Sequence, residues 1–183
     1  LGSFKTRGKF VDPIRKAGGK VAIFLPMLPI RRKWSANLRN HRKLAIFDES
    51  QAIVGGMNLG KHYMGPADCE GIRWRDFCVY LEGPIVDDLR KLFCSDWEFA
   101  TRSLPEFSLK PKPTLPGNAR IQVVGSGPDV PTDSLYHGLV TAFNHAEDRI
   151  WIVTPYFIPD DVILTSLSIQ ARLGRDVRIF LPN

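Results

Sequence analysis

The chain has 183 residues, 44% of them hydrophobic and 24% charged, a balance too apolar for a disordered segment. No apolar run approaches the roughly 20 residues of a membrane-spanning helix; the longest candidate, Val21–Ile30, holds two prolines. The formal charge of +6 favours anionic partners such as phosphates, acidic lipid surfaces or nucleic acid.

Leu1 to Lys5 lacks the charged start and apolar stretch of a secretory leader, so none is expected. Without an initiator Met, the chain reads as a segment of something longer. Phe10–Ala17 predicts the end of a helix closed by Gly18-Gly19. Val21–Leu25 is continuously apolar, the pattern of a short strand covered on both faces. Pro26–Leu38 reads as a basic loop. Arg31, Arg32, Lys33, Arg39, Arg42 and Lys43 lie close together there with no acid among them. Taken alone, Arg31–Lys33 has the plain reading of a solvated loop.

Arg42–Phe47 and Ala52–Val54 predict two strands joined by the polar turn Asp48-Glu49-Ser50-Gln51. Gly55-Gly56-Met57-Asn58-Leu59-Gly60 follows; glycine at that density signals tight backbone geometry or close approach to a ligand. Trp74–Leu81 predicts another strand, ended by Gly83-Pro84. Ile85–Thr101 predicts a helix from the spacing of Leu89, Leu92, Phe93, Trp97 and Ala100, with Asp87 and Asp88 in its first turns. Cys69, Cys78 and Cys94 have no metal-ligand spacing, and their odd number argues against a disulfide framework. They read as reduced, packed thiols.

Ser103–Gly117 contains Pro105, Pro111, Pro113 and Pro116 and reads as a linker. Beyond it come a strand at Arg120–Val124, a helix at Asp133–His145 and a strand at Ile150–Thr154. A helix at Pro159–Leu173 stopped by Gly174 and a strand at Val177–Leu181 complete the series. Strand and helix in alternation are the pattern of a parallel sheet with helices on its faces. The expected division is a first half over 1–102, a linker over 103–118 and a second half over 119–183.

Chemistry concentrates in His41-Arg42-Lys43-Leu44-Ala45-Ile46-Phe47-Asp48 and Gly55-Gly56-Met57-Asn58. Strand alternation would aim His41 and Lys43 the same way. An imidazole beside an ammonium suits a phosphodiester. Lys neutralises non-bridging oxygens while His attacks phosphorus or protonates the leaving oxygen. The glycine pair would let backbone N–H groups approach a phosphate, with Asn58 as a further donor. Parity puts Asp48 on the opposite face from His41, where a carboxylate ties down a turn. His41 by itself reads more readily as a surface or satisfied histidine; the whole spaced set argues against that.

His-x-Lys-x4-Asp-x6-Gly-Gly-x-Asn resembles the HKD motif of the phospholipase D superfamily. The surroundings are similar, more narrowly, to bacterial cardiolipin synthases: Asn37 to Lys43, the Gly55-Gly56 pair, Trp74-Arg75-Asp76, Gly83-Pro84, Val124 to Asp129, and Thr154 to Asp160. The resemblance implies an α/β, phospholipase D-like fold with mixed and parallel sheets flanked by helices, here as two incomplete halves. It implies a phosphatidyltransferase that joins two phosphatidylglycerol molecules into cardiolipin and releases glycerol through a phosphohistidine. His41 would then be catalytic, with Lys43, Gly55, Gly56 and Asn58 binding the phosphate. Asp48 would be the motif aspartate in a supporting role, and Asp76 would accept a hydrogen bond from His41 and fix its tautomer. No metal and no cofactor is implied. The partners implied are anionic phospholipid and the cytoplasmic side of a bacterial cell membrane; nucleic acid is not expected.

That family faces two HKD motifs across a pseudo-twofold, and this chain has one. His62, His137 and His145 are not followed by Lys two residues later and read as surface or packing histidines. The second motif is expected beyond Asn183, and this segment alone is expected to be inactive as a monomer. Two alternatives stay open: a phospholipase D-type phosphodiesterase or nuclease acting as a homodimer, and an inactive fragment that binds anionic membrane.

Overall fold

The computed structural model describes residues 8–24, 40–60, 62–63, 74–105, 117–127 and 132–182. The chain divides into two units, Leu1–Val123 and Val124–Asn183.

The first unit opens with a 3-10 turn, Gly8–Phe10, and helix α1, Asp12–Lys16. Pro13 suits the first turn, where its missing N–H costs nothing. Gly18, at φ +90°, ends the helix as expected. The helix is shorter than Phe10–Ala17, and Phe10 stays exposed. Val21–Phe24 forms no strand, correcting that expectation: an apolar run becomes a strand only where a neighbour completes its ladder. Leu25, the whole basic loop Pro26–Leu38 with Arg31, Arg32 and Lys33, and Arg39 lie outside the described residues.

Leu44–Phe47 (β1), Gln51–Gly55 (β2) and Cys78–Glu82 (β3) form an antiparallel meander in the order β1-β2-β3. Leu44 pairs with Val54, Phe47 with Gln51, Gln51 with Glu82 and Gly55 with Cys78. Asp48 and Glu49, at φ 49° and 53°, are the central residues of a turn within the three-residue connection between β1 and β2, closed by Ser50 N–H to the Phe47 carbonyl at 3.1 Å. Positive φ at both central residues matches the right-handed twist of the paired strands.

One face of this sheet packs on helix α2, Ile85–Thr101. Ala52, Leu81, Val86 and Leu89 are buried there, with Leu44, Ile46, Val54, Ile85 and Val123 against them. Arg90 of α2 reaches Glu49 of the hairpin turn at 3.9 Å and also pairs with Asp87. The opposite face leaves Ile53 and Tyr80, which are cross-strand partners, exposed. Arg120–Val124 forms no strand; Val123 packs on the core of the first unit instead. Linker residues 106–116 lie outside the described residues, as does Cys69. Cys78 and Cys94 are free thiols, and partial burial pushes the Cys94 thiol up.

The second unit contains helix α3 (Ser134–His145), strand β4 (Arg149–Val153), helix α4 (Asp161–Arg172) and strand β5 (Asp176–Phe180). β4 and β5 are parallel, Ile150 opposite Val177, joined through α4 as the alternating pattern requires. Ile150 and Leu167 are buried, with Ser166 and Gln170 on the same helix. Both ends of α4 are written in its sequence. The Asp160 carboxylate accepts the Ile163 N–H at 2.9 Å, satisfying a free donor of the first turn. Gly174, at φ +85°, lets Arg175 N–H reach the Gln170 carbonyl at 3.2 Å and its own N–H reach Ala171 at 3.0 Å. Among the described residues no helix is long and apolar enough to cross a membrane.

The Ile163 N–H and the Tyr136 hydroxyl hold the Asp160 carboxyl below the usual carboxylate range. Asp176 is lowered likewise by Arg178 and by the Trp151 N–H. A depressed carboxyl binds protons less readily folded than unfolded, so its stabilisation is full above the ordinary carboxylate pKa of about 4 and is lost below it. The stability gap between parent and Asp160→Asn in denaturant titrations should therefore shrink as pH falls from about 5 toward 2. A gap independent of pH would show that the carboxylate charge contributes nothing.

Candidate functional site

In the antiparallel meander the start of β1, the end of β2 and the start of β3 share one end of the sheet. That register brings together His41 and Lys43, Gly55 and Gly56, and Asp76. The glycine pair is stitched to both neighbours: Gly55 N–H donates to the Lys43 carbonyl at 3.2 Å and Gly56 N–H to the Phe77 carbonyl at 3.1 Å. Neither position has room for a side chain. A Cβ at Gly55 would strike the Phe77 carbonyl oxygen and stand 2.7 Å from the Cys78 Cα. At Gly56 it would land on the Asp76 carboxylate, with Cγ at 2.9 Å. The glycines thus serve close approach of three chain segments, which sequence density alone left open between a turn and a ligand.

His41 is exposed at this end and Lys43 half-buried. Because β1 begins at Leu44 rather than Arg42, strand alternation does not govern this pair. The Lys43 Nζ donates to the His41 carbonyl at 2.6 Å, turning the ammonium back beside the histidine. Arg42, counted above among the basic cluster, forms an ion pair with Asp96 of α2 and is not a bare cation for an anionic partner. Asp76 accepts the Phe77 N–H at 2.7 Å. Among the described residues the His41 ring makes no hydrogen bond, to Asp76 or otherwise.

Asn58 donates to the Tyr63 hydroxyl at 3.1 Å. Tyr63 meets the edge of Trp74, centroids 5.2 Å apart, and His62 stacks on the same indole at 5.5 Å. His62 is therefore a packing histidine. The cluster ties the segment after the glycines to the residue two before Asp76. Leu59, Trp74 and Phe77 add exposed apolar surface beside the polar groups. Asp48 sits in the hairpin turn at the other end of β1, away from the rest of the set. Among the described residues no three His, Cys, Asp or Glu side chains gather closely enough to ligate a metal ion.

Sequence reasoning missed Asn40, Tyr63 and Asp96. Asn40 and Asp96 meet across 56 positions, a distance no local pattern spans. Tyr63 carried a weak signal, an aromatic shortly after a glycine turn.

An imidazole, an ammonium and a glycine pair gathered at one sheet end suit phosphate chemistry, and the chain is similar to curated proteins named cardiolipin synthases. Cardiolipin synthase 2 of Bacillus cereus is 36% identical over 189 aligned residues, which take in 100% of this chain and 36% of the relative. Cardiolipin synthase of Alkalihalophilus pseudofirmus is also 36% identical, with 100% of the chain and 37% of the relative aligned. Cardiolipin synthase A of Pseudomonas syringae is 35% identical over 183 residues, or 100% of the chain and 38% of the relative. The chain thus spans a little over a third of the length of the curated relatives it matches. No protein-family model matches it, and no solved structure gives a significant match.

Proposed function

We propose that this chain carries the first phosphate-handling motif of a cardiolipin synthase-like phosphatidyltransferase of the phospholipase D superfamily. The similarity to cardiolipin synthases over the whole chain carries the reading. The gathering of His41, Lys43, Gly55, Gly56 and Asp76 at one sheet end supports it.

In this reading a ring nitrogen of His41 attacks the phosphorus of phosphatidylglycerol. The bond from phosphorus to the headgroup glycerol oxygen breaks, and glycerol leaves with a proton supplied by a second acid. The phosphatidyl group is then held on His41. A glycerol hydroxyl of a second phosphatidylglycerol loses its proton, attacks phosphorus and restores the free imidazole as cardiolipin departs. Two phosphatidylglycerol molecules give one cardiolipin and one glycerol. Lys43 neutralises the non-bridging oxygens as charge gathers on them, and the Asn58 amide adds a donor; the Gly55 and Gly56 N–H groups are used within the sheet. Asp76 accepts the Phe77 N–H in the structure and would turn to a ring nitrogen of His41 in the substrate complex, fixing its tautomer, while Asp48 sits in the hairpin turn. The substrate is an anionic lipid at a bacterial membrane surface, which the basic balance of the chain favours.

The direct test incubates the full-length protein with phosphatidylglycerol vesicles and measures cardiolipin and glycerol together. Equal amounts of both are expected; no consumption of phosphatidylglycerol rejects the reading. Lys43→Arg should lower turnover at least about tenfold despite keeping the charge. A planar guanidinium does not replace a compact ammonium at one phosphate oxygen. Turnover within about threefold of the parent would remove Lys43 from direct contact with phosphate.

A further inference from the structure

Asp96 has no part in the chemistry above, yet it reaches the residues on both sides of His41. It lies in the second half of α2, and its side chain is only 17% exposed. Its Oδ2 accepts from the Asn40 side-chain amide at 2.7 Å, and its Oδ1 from the Arg42 guanidinium. The Asn40 Oδ1 in turn accepts the Arg42 backbone N–H at 2.8 Å. These three bonds close a ring around a single residue, His41.

His41 needs such a ring. It precedes the β1 ladder, whose last bond on this side is Gly55 N–H to the Lys43 carbonyl. Its imidazole makes no hydrogen bond among the described residues, and the residues on either side of it are the ones Asp96 holds. A strand end with so few ladder bonds frays. A carboxylate paired with a guanidinium, both largely shielded from water, resists that fraying better than neutral bonds would.

We propose that Asp96 is a positioning residue for His41. From α2 it grips Asn40 and Arg42 and so holds the imidazole at the sheet end beside Lys43 and Gly56. For its effect on turnover the inference rests on the reading of His41 as nucleophile. A misplacement of about 1 Å costs on the order of 100-fold in rate, so loss of the grip should appear in kcat more than in KM.

The test uses the full-length protein with Asp96→Ala, Asp96→Asn, Asp96→Glu and His41→Ala. Hydrogen exchange of the Arg42 amide is measured against the amides of Ala52 and Leu81. Turnover is expressed per site able to form the phosphoenzyme, so that partial unfolding does not count. In Asp96→Ala, Arg42 exchange should rise at least tenfold while Ala52 and Leu81 stay within about twofold. The kcat per site should fall at least tenfold with KM within about threefold, and Asp96→Glu should restore part of both. Unchanged Arg42 exchange, or kcat per site within twofold of the parent, overturns the inference. If exchange rises throughout the sheet in Asp96→Ala, the same criteria are applied to Asp96→Asn, which keeps an oxygen for Asn40. If His41→Ala retains full turnover, the functional reading fails, and Arg42 exchange alone decides whether the grip exists.

Discussion

His41→Ala should lower cardiolipin formation by on the order of 1,000-fold or more and leave the fold intact. The side chain is exposed and makes no hydrogen bond among the described residues, so its loss should open no cavity. Without the imidazole no phosphatidyl group can be held between the two half-reactions. Glycerol release and cardiolipin formation should therefore fall together. Lys43 and Asn58 could still bind phosphate, so KM should move much less than kcat. A variant that keeps more than about a tenth of parental turnover, with the same melting temperature, would sink the nucleophile assignment.

The two glycines should separate stability from activity. At Gly55 an added Cβ meets fixed groups, the Phe77 carbonyl and the Cys78 Cα, and neither can move without shifting β3. Gly55→Ala should therefore destabilise by about 1–3 kcal/mol or more, the range for forcing atoms into a packed site. For a small domain that lowers the melting temperature by about 4–8 °C per kcal/mol. At Gly56 the obstacle is the Asp76 carboxylate, a side chain that can rotate away. Gly56→Ala should leave stability closer to the parent and lower turnover through a displaced Asp76. Thermal melts and initial rates on both variants decide it; equal melting temperatures for the two would contradict the packing described.

Much of this fold could be read locally. Helix α2 follows its apolar spacing over Ile85–Thr101, and α4 follows its Asp160 cap and Gly174 stop. The hairpin was legible because Asp48-Glu49 between two apolar runs leaves few alternatives. Val21–Leu25 and Arg120–Val124 misled for one reason: a strand is completed by its neighbour, and an apolar run carries no statement that a neighbour exists. Of the candidate site, spacing revealed His41, Lys43 and the glycines, and a resemblance added Asp76. What it could not reveal was long-range. Arg42 stood in the basic cluster until Asp96 met it across 54 positions, and Asp96 itself carried no local signal.

That separation also has a temporal side. The β1–β2 hairpin joins residues a few positions apart and can close within microseconds of leaving the ribosome. Asp96 is made 54 positions after Arg42, and at roughly 5–20 residues per second that is a delay of several seconds. During that interval Lys43 and Gly55 can already be joined by the hairpin, while the residues on either side of the histidine lack their partner on α2. On the proposed role of Asp96, the site is completed only once α2 has been synthesised and docked, which places its assembly late in folding, and a chain stalled before Asp96 would carry the motif without its grip.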